Sequence, residues 1–386
     1  MRRERVLVGA LLFLLGTACA AYSANAQQIG KFVPIAANSD ADRALTEINA
    51  ATDPAQKLTL IDKFAASAQG DMAIVADDQY VNYYIAAKNY DKAFEYGDKL
   101  FALDPDSLSN AVNMVRAAQG KGDADKLLAY GEKTAQILQR FKEKPAPEGT
   151  KQESWDTLKA HALQDVHESV TYVEQLVFDG AYRTTNTGKR AALLVRFVQL
   201  FPDSPFATQA LGVAAASYRQ TQNTAKMLEV ANGLLAKDPD NLGMLLLLAD
   251  YYSEKGEQLD KAESYAKKFL SLIETVKQDD GLTVEQWKQQ SGLQKGLALS
   301  ALGQVNIQKK NNAQAVDNFK AAAPLLKSDD GGYARNQYRL GFALLNLKRV
   351  PEAKAAFTDA ASVDSPYKAM AQEKLKALPG TAAKKS

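Results

Sequence analysis

Two histidines, one cysteine and three pairs of adjacent carboxylates are the residues of this chain best equipped for chemistry. His161 and His167 stand six apart, which on a helix puts them on different faces and not at the i, i+4 spacing of a zinc-binding pair. No second cysteine or third histidine completes a metal site. Nucleophilic and phosphate chemistry fare no better, because neither a G-x-S-x-G elbow nor a P-loop occurs. Asp77-Asp78, Asp279-Asp280 and Asp329-Asp330 are expected at helix starts or turns, where carboxylates commonly cap amides in contact with water. General acid–base work needs a cleft that perturbs such an acid, and a sequence displays none. Trp155 and Trp287, the two tryptophans, read as rings that cover a junction after a linker before they read as ligand platforms. The expectation is no catalytic residue, no cofactor and no metal.

The lone cysteine lies in the opening segment. Arg2, Arg3 and Arg5 form a basic start, Val6 to Leu15 is an apolar run, and small residues lead to Ala24-Asn25-Ala26. That is the layout of a secretory signal peptide with an A-x-A cleavage site. The run is too short to span a bilayer, which takes about 20 residues. Leu242 to Ala249 comes nearest to a later span and is bounded by Asp240 and Asp250. Cleavage after Ala26 leaves an exported, periplasmic chain without cysteine, held together by burial and not by disulfides. The alternative is lipidation: Leu15-Gly16-Thr17-Ala18-Cys19 loosely resembles a lipobox, although Gly16 stands where leucine is usual. Acylated Cys19 would anchor the chain at the outer membrane, and only then is a membrane a partner.

Charge excludes one class of partner. The chain has 47 Lys+Arg against 45 Asp+Glu, and the leader carries three of the Arg and one Glu, so the remainder is balanced. Balanced, interspersed charge lacks the basic stripe of a nucleic-acid footprint.

A chain of this length exceeds what one hydrophobic core usually serves, which directs attention to repeats. Asp91-Lys92-Ala93 with Tyr96-Gly97 and Lys99 recurs as Asp125-Lys126-Leu127 with Tyr130-Gly131 and Lys133, 34 residues later. It recurs again as Asp260-Lys261-Ala262 with Tyr265-Ala266 and Lys268. Residues four apart share a helix face, so Ala93 and Gly97, or Ala262 and Ala266, let a neighbouring helix approach closely. Asp91 and Asp125 fall in first helical turns, where a carboxylate complements the helix dipole. Helices are expected to stop at Asp104-Pro105 and Asp238-Pro239. A longer duplication overlies this one: Leu100 to Asp106 matches Leu234 to Asp240, and Gly149, Glu153 and Trp155 match Gly281, Glu285 and Trp287. No alternation of apolar and polar residues suggests a strand.

Leu302-Gly303, Ala315, Phe319 and Ala322 return as Leu340-Gly341, Ala353, Phe357 and Ala360, with Pro366 just beyond. This pattern resembles the tetratricopeptide-repeat (TPR) family, whose period is 34 residues. Two departures stand out: the family's Trp is missing from both copies, and Asn306 and Leu344 replace its aromatic. Tyr84 and Tyr218 keep that aromatic in earlier repeats, which lack the Gly. The resemblance implies an all-α fold of helix-turn-helix repeats stacked into a right-handed superhelical solenoid. It also implies a concave face, lined by the first helix of each pair, that binds a peptide or helix of another protein. In the family's register that face includes Asn82, Arg116, Arg219, Gln304, Gln308, Arg335 and Tyr338, of which Arg and Asn suit a peptide backbone or carboxylate.

The expected organisation is a signal peptide at 1–26, a flexible lead at 27–38 and helical repeats at 39–141. A linker at 142–152, middle repeats at 153–277, a linker at 278–283, C-terminal repeats at 284–378 and a tail at 379–386 follow. The expected function is a non-catalytic scaffold or adaptor of the bacterial cell envelope that binds protein or peptide. The alternatives are an outer-membrane lipoprotein in envelope assembly, or an envelope enzyme using carboxylates in a helical cleft. Oligomeric state is open.

Overall fold

Ser39 opens the first helix by accepting a hydrogen bond from the Asp42 amide, and the same device recurs along the chain. Asp53, Asn89, Ser107 and Asp123 each cap a following helix through the amide three residues on. Each cap satisfies one of the amides a helix start leaves unpaired, an effect worth about 1 kcal/mol. The computed structural model describes residues 29–278 and 281–378, and all regular structure among them is helical. The segment expected to be a signal peptide, Cys19 and the tail at 379–386 lie outside the described residues, as do Asp279 and Asp280.

Contacts cluster into two units that divide between Ala210 and Leu211. In unit 1 the helices are α1 (Asp40–Ala50), α2 (Pro54–Ser67), α3 (Met72–Ala86), α4 (Tyr90–Leu103), α5 (Leu108–Lys121), α6 (Ala124–Glu143), α7 (Gln152–Asp165), α8 (His167–Tyr182) and α9 (Thr187–Leu200). The division falls within α10 (Ala207–Gln220). Unit 2 continues with α11 (Thr224–Lys237), α12 (Leu242–Lys255), α13 (Leu259–Ile273), α14 (Val284–Gln308), α15 (Asn312–Ala322), α16 (Asp330–Asn346), α17 (Val350–Ser362) and α18 (Tyr367–Ala377). The stretch expected as a linker at 142–152 lies inside unit 1, with only 144–151 between α6 and α7, and Thr283 inside unit 2 opens α14 with a capping box to Gln286.

Neighbouring helices pack as pairs, α3 with α4, α5 with α6, α12 with α13, α14 with α15 and α16 with α17. Within four of these pairs the turn places one residue at positive φ two positions before the second helix: Lys88, Gly122, Lys310 and Lys348. Pair contacts are close because the sequence supplies small residues there. A Cβ on Gly303 would lie 2.6 Å from the Phe319 ring, and one on Gly341 would lie 2.6 Å from the Phe357 ring. The Leu-Gly and Ala-x3-Phe halves of the repeated motif therefore meet face to face. Phe319 and Phe357 are fully buried, each stabilising its pair by about 2–3 kcal/mol. Buried asparagines tie one pair to the next: Asn110 donates to the Gly97 carbonyl at 2.8 Å, and Asn336 to the Phe319 carbonyl at 2.9 Å.

Two expectations change. Asp77 and Asp78 lie in the interior of α3, not at a helix start, because the apolar residues Ile74, Val75, Ala76 and Val81 carry the helix through them. Asp329 does cap α16, accepting from the Gly332 amide. The lead is also less free than expected. Ile29 is buried, and the Lys31 amide donates to Asp104 Oδ2 at 2.8 Å.

Candidate binding face on the first helices of the pairs

Side chains four apart on one helix stand on one face, so Asp250 with Glu254 on α12 and Arg335 with Arg339 on α16 form two charged pairs. Unit 2 brings them together. Arg335 Nη2 lies 3.1 Å from Asp250 Oδ1, and its Nη1 lies 3.3 Å from Asp250 Oδ2 and 3.1 Å from Glu254 Oε1. Arg219 of α10 bonds Asp250 Oδ2, reaches Glu254 Oε2 at 3.1 Å, and donates to the Leu247 carbonyl at 3.3 Å. Arg339 makes one long contact, 3.5 Å to Glu254 Oε1.

Three guanidinium groups thus face two carboxylates, and the surplus is cationic. Burial alone would raise the Asp250 carboxyl, but Arg335, Arg219 and Arg339 outweigh it and hold it below the usual carboxylate range. Burial and the neighbouring Arg335 push Arg339 the other way, lowering its guanidinium. Arg339 Nη1 and Arg335 Nε are buried without a hydrogen-bond partner. A buried donor left unpaired costs about 1–3 kcal/mol.

Unit 1 carries a gentler polar row on α3 and α5. Asn82 donates to the Asp78 carboxylate at 3.0 Å, Asn113 donates to Asn82 Oδ1 at 3.4 Å, and Arg116 Nη1 lies 3.5 Å from Asn113 Oδ1. Burial pushes the half-buried Asp78 carboxyl up to about 6, against the opposing bond from Asn82.

Of the seven positions read from the sequence, Asn82 and Arg116 join the row in unit 1, while Arg219 and Arg335 converge in unit 2. Gln304 and Gln308 on α14 stand outside the cluster; Gln308 is exposed, its amide 3.5 Å from where a Cβ on Gly256 would sit. Tyr338 is half-buried and packs edge-on against Phe342 and Phe357, with ring centroids 5.0 and 5.7 Å away, against the core of the last repeats. Asp250, Glu254 and Arg339 were not singled out. One signal was available: Asp250 ends an otherwise unbroken apolar run from Leu242 to Ala249, where a charge needs a partner.

His161 and His167 are exposed, and among the described residues no group of three or more His, Cys, Asp or Glu is placed to hold a metal. Trp155 is buried and its Nε1 donates to the Lys144 carbonyl at 2.9 Å, closing the turn before α7. Trp287 is only half-buried. A cavity of about 680 Å³ in unit 1 lies between the turn before α6 and the turn before α9, and none of Asp77, Asp78 and Glu174 lines it. No helix among the described residues is long and apolar enough to cross a membrane.

No protein-family model and no curated protein matches the chain. Among solved structures, yeast Tom70 aligns over 90% of this chain and 66% of its own, at 13% identity and a TM-score of 0.37. This chain thus spans about two thirds of Tom70's length. NprR in complex with its cognate peptide NprX aligns over 89% of this chain and 84% of its own, at 13% identity and a TM-score of 0.29. The P58(IPK) TPR domain aligns over 88% and 98%, at 15% identity and a TM-score of 0.27. Superpositions this loose carry no argument. The chain's own helix pairs make it an all-α, TPR-like repeat array.

Proposed function

We propose that this chain is a non-catalytic scaffold of the bacterial cell envelope that binds a peptide or helix of another protein on the first helices of its pairs. The observation that carries this reading is the cationic surplus at Arg219, Arg335 and Arg339, where a buried guanidinium edge lacks an acceptor. A peptide carboxylate supplies two acceptor oxygens in the plane a guanidinium presents. The polar row from Asp78 to Arg116 offers unit 1 amide donors and acceptors suited to an extended backbone.

The envelope location rests on the leader alone, with Arg2, Arg3 and Arg5, the apolar run and Ala24-Asn25-Ala26. A lipid anchor at Cys19 is the variant of the same reading, and intact mass of the protein from its native envelope separates the two.

The binding claim is tested by panning a random heptapeptide library with free carboxyl termini against the full chain. Recovered sequences should be rich in Asp and Glu or bind through the terminal carboxylate, and Arg339→Gln should lose that enrichment. Identical recovery by both proteins would remove the cluster from the account.

A further inference from the structure

The turn entering α5 and the turn entering α12 share the run Asp-Pro-Asp-x-Leu, as Asp104–Leu108 and Asp238–Leu242. Their local geometry agrees. The Asp106 amide donates to Asp104 Oδ1 at 3.2 Å, and the Asp240 amide to Asp238 Oδ1 at 3.3 Å. Ser107 and Asn241 each cap the helix that follows.

They differ in how the second carboxylate oxygen is used. In unit 2, Asn241 Nδ2 donates to Asp238 Oδ2 at 3.1 Å, and the turn closes on itself. In unit 1, the shorter Ser107 pairs its hydroxyl with that of Ser109, and Asp104 Oδ2 takes the Lys31 amide instead. The Leu108 amide also lies 3.3 Å from the Ile29 carbonyl, and the Ile29 side chain is 5% exposed. Between them Gly30 sits at φ +122°, where a Cβ would lie 2.8 Å from Asp104 Oδ2 and 3.1 Å from Ser107 Cα. Two bonds from the segment's main chain, one buried isoleucine and one position that excludes a side chain make a recognition site. A cavity of about 180 Å³ adjoins it, bordered by Arg140, Phe141 and Lys144.

We propose that the Asp104–Leu108 turn is a second peptide site, specific for an apolar-Gly-x segment bent at its glycine, which residues 29–31 occupy as a ligand within the same chain. The same segment on another polypeptide takes the site when the internal copy is withdrawn. An internal ligand acts at an effective concentration in the millimolar range, so the wild-type chain resists competition. This site is separate from the arginine cluster and stands or falls without it.

The test uses the full chain and a fluorescein-labelled, acetylated synthetic peptide with the sequence of residues 29–34. Gly30→Val and Lys31→Pro each evict the internal segment, the first by clash and the second by removing the amide donor. Both variants should bind the peptide at least 10-fold more tightly than the wild type does. Adding Ser107→Asn, which copies the closed turn of unit 2, should return binding to the wild-type level. Hydrogen exchange across α4 to α6 checks that the variants remain folded. Two results overturn the proposal: folded variants that bind no better than the wild type, or binding that Ser107→Asn leaves unchanged.

Discussion

Arg335 embraces the Asp250 carboxylate across 85 residues of chain, with nitrogens 3.1 Å from Oδ1 and 3.3 Å from Oδ2. The contact joins α16 to α12 within unit 2. Because burial opposes the charge and the arginines sustain it, neither partner is stable there alone.

Asp250→Asn should therefore strand three guanidinium groups beside a single remaining carboxylate. We expect unit 2 to lose about 3 kcal/mol, the usual scale for breaking a buried pair from one side. The carboxyl is depressed, so its contribution is present above the ordinary value near 4 and is lost as pH falls through the lower folded value. Urea melts of both proteins between pH 7 and pH 3 check this. The gap should narrow toward the acid end, and a constant gap would contradict the assignment.

Asp78 predicts the opposite sign. Its carboxyl is raised to about 6, so the folded chain holds that proton more tightly than the unfolded chain does. Stability from this group is complete below the unfolded value near 4 and is lost as pH rises through 6. Asp78→Asn keeps an acceptor for Asn82 and should stabilise unit 1 by about 1–2 kcal/mol at pH 8, a figure reduced for partial exposure. At pH 4 the variant and the wild type should melt together.

Gly341→Val should cost about 1–3 kcal/mol, because its side chain would enter the space of the Phe357 ring. Phe357→Leu vacates part of that space. In a double-mutant cycle the two changes should be less damaging together than the sum of each alone, and strict additivity would show that the pair does not touch.

Much of the fold was legible because the repeat places small and aromatic residues at helical spacing. Gly303 and Phe319, or Gly341 and Phe357, announce a close helix pair before any coordinate is known. A cap such as Asp329 was readable for the same reason, since it acts within one turn. The candidate binding face was less legible. Register located Arg219 and Arg335, but Asp250, Glu254 and Arg339 acquire meaning only from contacts 31 and 85 residues away. Tyr338 read as a concave-face position, and its half-buried ring packs on Phe342, Phe357 and Tyr367, because one repeat's register does not reveal what the terminal helix adds. The pinned Ile29–Lys31 segment was hidden for a related reason. Its partner, Asp104, is 73 residues on, and a short lead without helical periodicity carries no local signal of attachment.

Hydrogen exchange of the full chain, with and without a saturating acidic heptapeptide recovered by panning, locates the bound peptide. Exchange should slow in α10, α12 and α16, where Arg219, Asp250, Glu254, Arg335 and Arg339 reside, with little change in α11, α13 and α17. Protection confined to α11, α13 and α17 would place the peptide on the second helices of the pairs and contradict the binding face described for this chain.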